Sequence, residues 1–336
     1  MHQTTTYPQL NNAVFGATGN VIDGNFTSKD ILSLDQFTVE DLHRLFRLAD
    51  EMKQLVLHHE PSSLLAGYVV SLLFFEPSSR TFGSFASAVK RLGGQTLEIQ
   101  NPEMVSSVNK GESFEDTMRT FEAYSDAIVL RHYRAGAARL AADTASVPLI
   151  NAGDGNNEHP TQTLLDLYTI YKHLGRLDNL TCLLAGDPLN SRVIHSMLRG
   201  LSLFENNKVY VLSPEQLRFK RAEIAYYREC GLKIVEIDSE RDIPACCDLW
   251  YWTRIQKERF ASQQEYDMVL KQGFLVTPEL LRTRAGKDTI IMDPLPRVST
   301  IDPAVDADER AVYFRAQIRN GLYIRMALLA LVLGRA

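Results

Sequence analysis

Short apolar runs alternate with helical patterns along most of this 336-residue chain. Residues 68–75 are apolar apart from Ser71, which is typical of a strand buried on both faces of a sheet. Such alternation predicts an α/β fold of two doubly wound parallel-sheet domains joined by helices. The other strand-like runs are 95–99, 127–131, 148–150, 181–185, 208–212, 233–237, 248–252 and 289–292.

A helix predicted to begin near Pro160 and to end before Gly175 separates the first four strands from the rest. A chain of this length usually forms two domains, so we place their junction at this helix. The division predicts a polar N-terminal extension over residues 1–30, a first domain over 31–160 and a second domain over 161–317. A closing apolar helix within residues 318–336 is expected to pack on the first domain and complete it.

A candidate binding site lies where the first strand meets the following helix. Pro77 ends the strand, and apolar residues then recur at helical spacing until Gly93. The first turn of a helix carries free backbone N–H groups and the positive end of the helix dipole, which together favour an anion. Three hydroxyls and a guanidinium on this turn predict a phosphate site, and a simple helix cap beside a solvated arginine is the alternative. The four residues are Ser78, Ser79, Arg80 and Thr81.

Polar segments follow the carboxyl ends of six predicted strands. Open parallel sheets bind ligands in the crevice beyond those ends, so we expect these segments to converge between the two domains. Any one polar loop is more often only a loop, whereas six in the same topological position indicate a site. The segments are 76–81, 131–132, 151–159, 186–192, 253–256 and 293–297.

Composition narrows the class of protein. A formal net charge of −5 without a dominant basic stripe argues against nucleic acid as a partner. No apolar segment approaches the roughly 18 residues of a membrane span, and the N-terminal stretch lacks the pattern of a signal peptide. His58 and His59 lack the spacing of metal ligands, so we expect them at a solvated helix end. The cysteines show neither disulfide-scaffold nor zinc spacing, which predicts reduced, mostly buried thiols in a cytoplasmic protein. They are Cys182, Cys230, Cys246 and Cys247.

The candidate chemistry in the polar segments consists mainly of positive charge and hydrogen-bond donors. The sequence has no catalytic carboxylate pair among them and no dinucleotide, P-loop, serine-hydrolase or zincin motif in a suitable position. Forked guanidinium groups suit substrates with several carboxylate or phosphate oxygens. A lone histidine before proline is more often structural, but with a threonine and a glutamine in the same helical turn it can polarise a carbonyl. The residues are Arg80, Arg131, Arg192, Arg254, His159, Thr161 and Gln162.

Several of these segments resemble the motifs of the aspartate carbamoyltransferase catalytic chains. The resemblance extends from about residue 32 to the C terminus. Ser78-Ser79-Arg80-Thr81 is similar to the family's Ser-Thr-Arg-Thr phosphate signature and keeps the second hydroxyl, while His159-Pro160-Thr161-Gln162 and Arg131-His132 match as they stand. These motifs occur in carbamoyltransferases generally, whereas Thr253-Arg254-Ile255-Gln256 resembles the aspartate-binding Arg-x-Gln signature.

The resemblance implies an enzyme that makes N-carbamoyl-L-aspartate and phosphate from carbamoyl phosphate and L-aspartate in pyrimidine biosynthesis, without a cofactor or metal. The catalytic residues it implies are Arg80, Thr81, Lys110, Arg131 and His159. Ser78, Ser79, Arg80 and Thr81 would bind the phosphoryl group, Arg131 would bridge it to the carbonyl oxygen, and Thr81 and His159 would polarise that oxygen. Gln162 and the backbone carbonyls of Pro294 and Leu295 would hold the carbamoyl NH2 group.

The remaining implied roles concern aspartate and assembly. Arg192, Arg254 and Gln256 would orient the aspartate carboxylates, and Glu76 would pair with Arg192 and Arg259 when the domains close. Ser106 and Lys110 lie in a segment that resembles the family's mobile loop. That loop would reach the site of a neighbouring subunit, Ser106 toward carbamoyl phosphate and Lys110 toward both substrates, which implies a homotrimer with shared active sites. Whether regulatory chains bind is left open.

Three departures from the family pattern lie in the second half of the chain. Asp293 stands where a histidine is usual, and Ser299-Thr300 replace the usual acidic pair. Residues 188–193 keep Arg192 but lose a lysine, a glycine and a hydroxyl. They leave two alternatives open, a carbamoyltransferase for another amine and an inactive paralogue that serves as an assembly subunit. Retention of the phosphate, carbonyl and loop residues argues against the second alternative.

Overall fold

The computed structural model describes residues 21–105, 107–255, 260, 262–270, 274–298 and 300–336. All nine predicted strands occur within these residues, and three of them have the predicted bounds. The strands are β1 (Val69–Phe74), β2 (Gln95–Gln100), β3 (Ala127–His132), β4 (Leu149–Asp154), β5 (Thr181–Ala185), β6 (Lys208–Leu212), β7 (Lys233–Ile237), β8 (Leu249–Trp252) and β9 (Ile290–Met292).

The strands form two separate sheets in which every neighbouring pair is parallel. The first sheet has the order β2-β1-β3-β4 and the second has the order β7-β6-β5-β8-β9. In each sheet the strand order reverses beside a central strand, β1 in the first and β5 in the second, which is the switch point of a doubly wound fold. The predicted fold class is therefore confirmed.

Helices connect the strands and cover the sheets. Helix α6 begins with Pro160 at its first position and ends at Gly175, whose φ of 72° closes the helix in the left-handed region. The helices are α1 (Val39–Leu57), α2 (Ser79–Arg91), α3 (Pro102–Val105), α4 (Phe114–Glu122), α5 (Ala137–Thr144), α6 (Pro160–Leu174), α7 (Arg192–Ser202), α8 (Arg221–Glu229), α9 (Gln263–Leu270), α10 (Pro278–Arg284) and α11 (Ile318–Val332).

Strand β4 is longer than the sequence pattern predicted. We expected it to end at Ile150, but it continues to Asp154 through residues that we assigned to a loop. The backbone of Asn151 bonds Ile31, and Asp154 pairs with His132 beyond an irregularity in β3. Polar residues concealed this part of the strand, because their side chains bond locally and not to water. Asn151, for example, accepts a hydrogen bond from the backbone of Gly153 at 2.8 Å.

Helix α11 packs against α1, α2 and α6, as expected for a helix that returns to the first sheet. Most of its residues from Tyr323 to Val332 are buried, so it lies inside the protein and not on its surface. The domain boundaries given above stay a prediction. Among the described residues, no helix is long and apolar enough to cross a membrane.

The cysteines and the adjacent histidines are placed partly as predicted. All four cysteines are unpaired, but only Cys182 and Cys247 are buried, while Cys230 is half-buried and Cys246 is exposed. The prediction of mostly buried thiols was therefore wrong for two of the four, because Cys246 lies on a surface turn. His58 and His59 are exposed beyond the end of α1, which confirms the solvated helix end.

Candidate active site

A cavity of about 420 Å³ lies beyond the carboxyl ends of the strands and is lined by residues from both sheets' connections. Of the site residues that the family resemblance implies and that the structure describes, all but Ser79 and Lys110 line this cavity. Both exceptions are exposed, Ser79 at the start of α2 and Lys110 on the turn Ser107–Lys110. Three further predicted residues, Ser106, Gln256 and Arg259, lie outside the described residues. The lining residues are Glu76, Ser78, Arg80, Thr81, Arg131, His159, Gln162, Arg192, Arg254, Pro294 and Leu295.

The first turn of α2 forms one wall of the cavity. Ser78 caps the helix, and its hydroxyl accepts a hydrogen bond from the backbone of Thr81 at 3.4 Å. The capping alternative is thus correct for Ser78, but Arg80 is more than a solvated charge. Its Nη2 donates to the carbonyl oxygen of Leu295 at 2.7 Å, across 215 positions of the sequence. This hydrogen bond joins the first sheet's helix to the loop after β9.

Glu76 lies between two arginines that line the cavity with it. Its carboxylate is 3.2 Å from Nη2 of Arg131 and 3.1 Å from both terminal nitrogens of Arg192. Arg131 also donates to the carbonyl of Ala152, and Arg192 donates to the carbonyl of Gly155 at 2.6 Å. Glu76 follows β1 and Arg192 begins α7, so the carboxylate connects the two halves of the chain. The expected Glu76–Arg192 contact is present, and its role in domain closure stays a prediction.

Burial changes the protonation behaviour of Arg131 and His159. Burial and the charge of Arg192 lower the pKa of Arg131 to about 10, so it keeps its charge at neutral pH. Burial, followed by the charges of Arg131 and Arg192, lowers the pKa of His159 well below its usual value. His159 is therefore a neutral imidazole at neutral pH, and one ring nitrogen carries a hydrogen that it can donate.

A buried hydrogen-bond network lies beneath Gln162. Nε2 of Gln162 donates to the two carboxylate oxygens of Asp166 at 3.1 and 3.2 Å. Asp166 also accepts hydrogen bonds from the hydroxyl of Tyr251 and from Nε2 of Gln317, each at 2.7 Å. Burial raises the pKa of Asp166 to about 7. Sequence reasoning missed both Asp166 and Gln317, although an acid among buried leucines one turn after Gln162 was a usable signal.

Asp293, the acid at a position where the family pattern has histidine, lines the cavity and is hydrogen-bonded within its own loop. Its carboxylate accepts a hydrogen bond from the backbone of Leu295 at 2.5 Å and one from the hydroxyl of Thr300 at 3.1 Å. Burial raises its pKa to about 6, against the opposing effect of those hydrogen bonds and of Arg80. Two of the departures, Asp293 and Thr300, are therefore hydrogen-bonded partners within one loop.

Comparison with known proteins places both halves of this cavity in one family. Residues 29–172 match the model described as aspartate/ornithine carbamoyltransferase, carbamoyl-P binding domain, and residues 178–332 match the corresponding Asp/Orn binding domain. The chain belongs to the aspartate/ornithine carbamoyltransferase family.

Individual relatives extend this assignment along nearly the whole chain. A chloroplastic aspartate carbamoyltransferase from Arabidopsis thaliana is 45% identical over 92% of this chain and 78% of its own length. The catalytic subunit of aspartate carbamoyltransferase from Thermococcus gammatolerans is 44% identical over 92% of this chain and 99% of its own length. The crystal structure of aspartate transcarbamoylase from Trypanosoma cruzi in complex with N-(phosphonacetyl)-L-aspartic acid superimposes with a TM-score of 0.85, at 37% identity over 92% of this chain and 97% of that chain.

Arg325 is a further cavity residue of this carbamoyltransferase that sequence reasoning missed. It projects from α11, is only 4% exposed and donates from Nη1 to the hydroxyl of Ser84 at 3.0 Å. Its guanidinium lies over the ring of Phe85 at 5.2 Å, and burial lowers its pKa to about 10. An arginine within the apolar run from Leu322 to Val332 was the available signal, because a buried charge must be paired or face a site.

The substituted segment 188–193 contributes to the opposite wall of the cavity. Asn190 donates from its backbone and its side chain to Oδ1 of Asp187 at 3.1 and 3.0 Å, and Ser191 caps α7. Both residues line the cavity beside Arg192. The departures from the family pattern thus form a hydrogen-bonded turn on the wall where the acceptor amine is expected.

Proposed function

We propose that this chain transfers the carbamoyl group from carbamoyl phosphate to the α-amine of L-aspartate, giving N-carbamoyl-L-aspartate and phosphate. The observation that carries the proposal is the single cavity that combines the N-terminus of α2 with the guanidinium groups of Arg80, Arg131, Arg192 and Arg254. Such a cavity suits two anions held in contact. Relatives named aspartate carbamoyltransferase, and a Trypanosoma cruzi relative solved with carbamoyl phosphate and aspartate, support the same reaction.

The phosphoryl group binds at the first turn of α2. The free N–H groups of this turn, the hydroxyls of Ser78, Ser79 and Thr81, and the guanidinium of Arg80 supply the donors. Arg80 also donates to the carbonyl of Leu295, which holds its guanidinium beside the loop after β9. Arg131 lies at the end of β3 and bridges the phosphate to the carbonyl oxygen.

The reaction is an addition followed by an elimination at the carbamoyl carbon. The neutral amine of aspartate attacks this carbon, and the carbonyl oxygen becomes an oxyanion that Thr81, Arg131 and neutral His159 stabilise. The bond to the phosphate oxygen then breaks, and the departing phosphate takes the proton of the amine. Gln162 and the backbone carbonyls of Pro294 and Leu295 hold the carbamoyl NH2 group, so the enzyme acts mainly by positioning.

The acceptor and the assembly complete the proposal. Arg192, Arg254 and Gln256 bind the aspartate carboxylates. The active sites are shared within a homotrimer, in which Ser106 and Lys110 enter the cavity of a neighbouring copy. The exposure of Lys110 away from its own cavity supports this arrangement, since the described lining contains no lysine. We place the enzyme in the cytoplasm, which its unpaired cysteines support.

The test is transfer from radiolabelled carbamoyl phosphate to L-aspartate and to a panel of other amines. We expect turnover with aspartate. Turnover with another amine alone favours a carbamoyltransferase for that amine, the alternative that the substituted turn at 188–193 motivates. No turnover with any amine favours an inactive paralogue. Arg131→Ala should lower turnover at least about 100-fold while the oligomer stays intact by native mass spectrometry. Arg139→Ala, which removes a surface arginine that pairs with Asp143, is the control and should not change turnover. Unchanged turnover in Arg131→Ala overturns the proposed mechanism.

A further inference from the structure

A buried carboxylate that the proposed reaction does not use, that of Asp166, contacts the cavity-lining residue Gln162. We propose that Asp166 is a positioning residue, which fixes the Gln162 amide with its carbonyl oxygen toward the cavity and so makes the site prefer a carbamoyl group over an acetyl group. This inference rests on the proposed function, because it assigns the selectivity of the same site. It concerns a residue that does not itself touch the substrate.

The carboxylate of Asp166 contacts Gln162 and is shielded from solvent. The two residues lie one turn apart on α6, on the same face of the helix. Asp166 has no exposed surface, whereas Gln162 lines the cavity. Because Nε2 of Gln162 contacts both oxygens of Asp166, the amide carbonyl oxygen is on the opposite side of the amide group. Since Gln162 lines the cavity, we infer that this oxygen is on the cavity side.

The orientation of this network is fixed by a backbone group. The backbone N–H of Asp293 can only donate, so the atom of Gln317 that it contacts at 3.2 Å is the carbonyl oxygen Oε1. Nε2 of Gln317 therefore faces Oδ1 of Asp166, and that oxygen accepts a hydrogen bond. The hydroxyl of Tyr251 donates to the other oxygen. Above its pKa of about 7, Asp166 is ionised and has acceptors only, so Gln162 must then present its NH2 group to it.

The fixed amide has a consequence for substrate choice. A carbamoyl group carries an NH2 that donates to the oxygen of Gln162, whereas an acetyl group carries a methyl that leaves this oxygen without a donor. A site that hydrogen-bonds a substrate N–H group discriminates strongly against the analogue that lacks it. If the Gln162 amide is free to rotate, its NH2 group can meet the substrate NH2 group, and the preference falls to what the carbonyls of Pro294 and Leu295 supply.

The experiment measures binding of carbamoyl phosphate, acetyl phosphate and inorganic phosphate by calorimetry to the wild type and to Asp166→Asn, at about pH 8.5, where a carboxyl with a pKa of about 7 is ionised. Asparagine has the size of aspartate but presents a donor as well as an acceptor, so it no longer dictates the orientation of Gln162. We expect the preference for carbamoyl phosphate over acetyl phosphate to fall at least about tenfold, while inorganic phosphate binds within twofold of the wild type. A general loss of structure weakens all three ligands equally.

Asp50→Asn is the matched control. Asp50 also accepts a tyrosine hydroxyl at 2.7 Å, from Tyr168, and pairs with Lys172, but neither of these partners lines the cavity, so its substitution should leave the preference unchanged. As a second measurement, Gln162→Ala is compared with the double variant Gln162→Ala/Asp166→Asn, at a temperature at which circular dichroism shows both to be folded. Once Gln162 is replaced, the added Asp166→Asn change should leave the ligand preference equal to that of Gln162→Ala.

Two results overturn the inference: an unchanged preference in Asp166→Asn, or a further loss of preference in the double variant. These outcomes are separate from failure of the proposed function. The function fails if the wild type transfers no carbamoyl group to aspartate, whereas the ligand preference is measured by binding and does not depend on turnover.

Discussion

Replacing Glu76 by glutamine removes the negative charge between Arg131 and Arg192 and keeps the size of the side chain. In the structure this carboxylate contacts one arginine from each half of the chain, at 3.2 and 3.1 Å. Without the charge, the two guanidinium groups repel each other, and the charge of Arg192 already lowers the pKa of Arg131. We expect the cleft of Glu76→Gln to favour an open arrangement, in which the acceptor side moves away from the phosphate side.

The size of the effect follows from the contacts. At about 3 Å and an effective dielectric constant of about 20, each contact contributes a gross attraction of about 5 kcal/mol. Glu76 keeps 34% of its side chain exposed, so solvent screens much of this attraction, as it does for surface pairs. Removing one partner of a hydrogen-bonded charge pair costs about 2 kcal/mol at the lower end of the measured range. A shift of about 2 kcal/mol corresponds to a roughly 30-fold increase in the KM for aspartate.

The assay is steady-state kinetics with saturating carbamoyl phosphate and varied aspartate, together with small-angle X-ray scattering with and without N-(phosphonacetyl)-L-aspartate. Glu98→Gln is the matched control. Glu98 pairs with Lys90 at 2.7 Å and keeps 32% of its side chain exposed, but this pair joins β2 to the neighbouring helix α2 and does not connect the two halves of the chain. The control should keep the wild-type KM. A KM for aspartate within twofold of the wild type in Glu76→Gln refutes the reasoning.

Two further predictions concern the loops around the cavity. Burial raises the pKa of Asp293 from 3.8 to about 6; between these values the native state binds a proton that the unfolded chain has released, so stability falls as pH rises. Asp293→Asn should therefore unfold in urea with up to about 3 kcal/mol more stability than the wild type above pH 6 and with no difference below pH 4, whereas a constant difference contradicts this assignment. A Cβ on Gly186 (φ 124°) overlaps the carbonyl of Thr253, while one on Gly231 (φ 93°) meets no atom within 4 Å. Gly186→Ala should lose about 1–3 kcal/mol more stability than Gly231→Ala and should bind aspartate more weakly, and equal thermal shifts argue against the close contact.

Much of the fold follows from local patterns. Strands β5, β6 and β7 have the predicted bounds because their apolar runs are bordered by polar or turn residues. Strand β4 was too short in the prediction because its last residues are polar and bond within the protein. The wall formed by α2 was also predicted from a local pattern, because a helix N-terminus can be identified from neighbouring residues alone.

The hydrogen-bond partners in the site were not predictable from local patterns. Gln317 donates to Asp166 across 151 positions, and Arg80 donates to Leu295 across 215 positions. A sequence shows that such residues are polar within apolar surroundings, as Asp166 and Arg325 are, but it does not show which groups the fold brings to them. The partnership of Asp293 with Thr300 depends on the shape of one loop, which the family pattern does not describe.

The late position of α11 in the chain has a consequence for protein synthesis. The apolar faces of α1 and α2 are covered by α11, which begins only at Ile318, whereas α6 ends at Leu174. At roughly 5–20 residues per second, the ribosome needs on the order of ten to thirty seconds to add the intervening residues. During that time the first sheet and its helices are made but incompletely covered, and the cavity lacks Arg325. During this interval the exposed apolar surface can bind a chaperone or aggregate. A chain truncated before α11 keeps that surface exposed and lacks a complete active site.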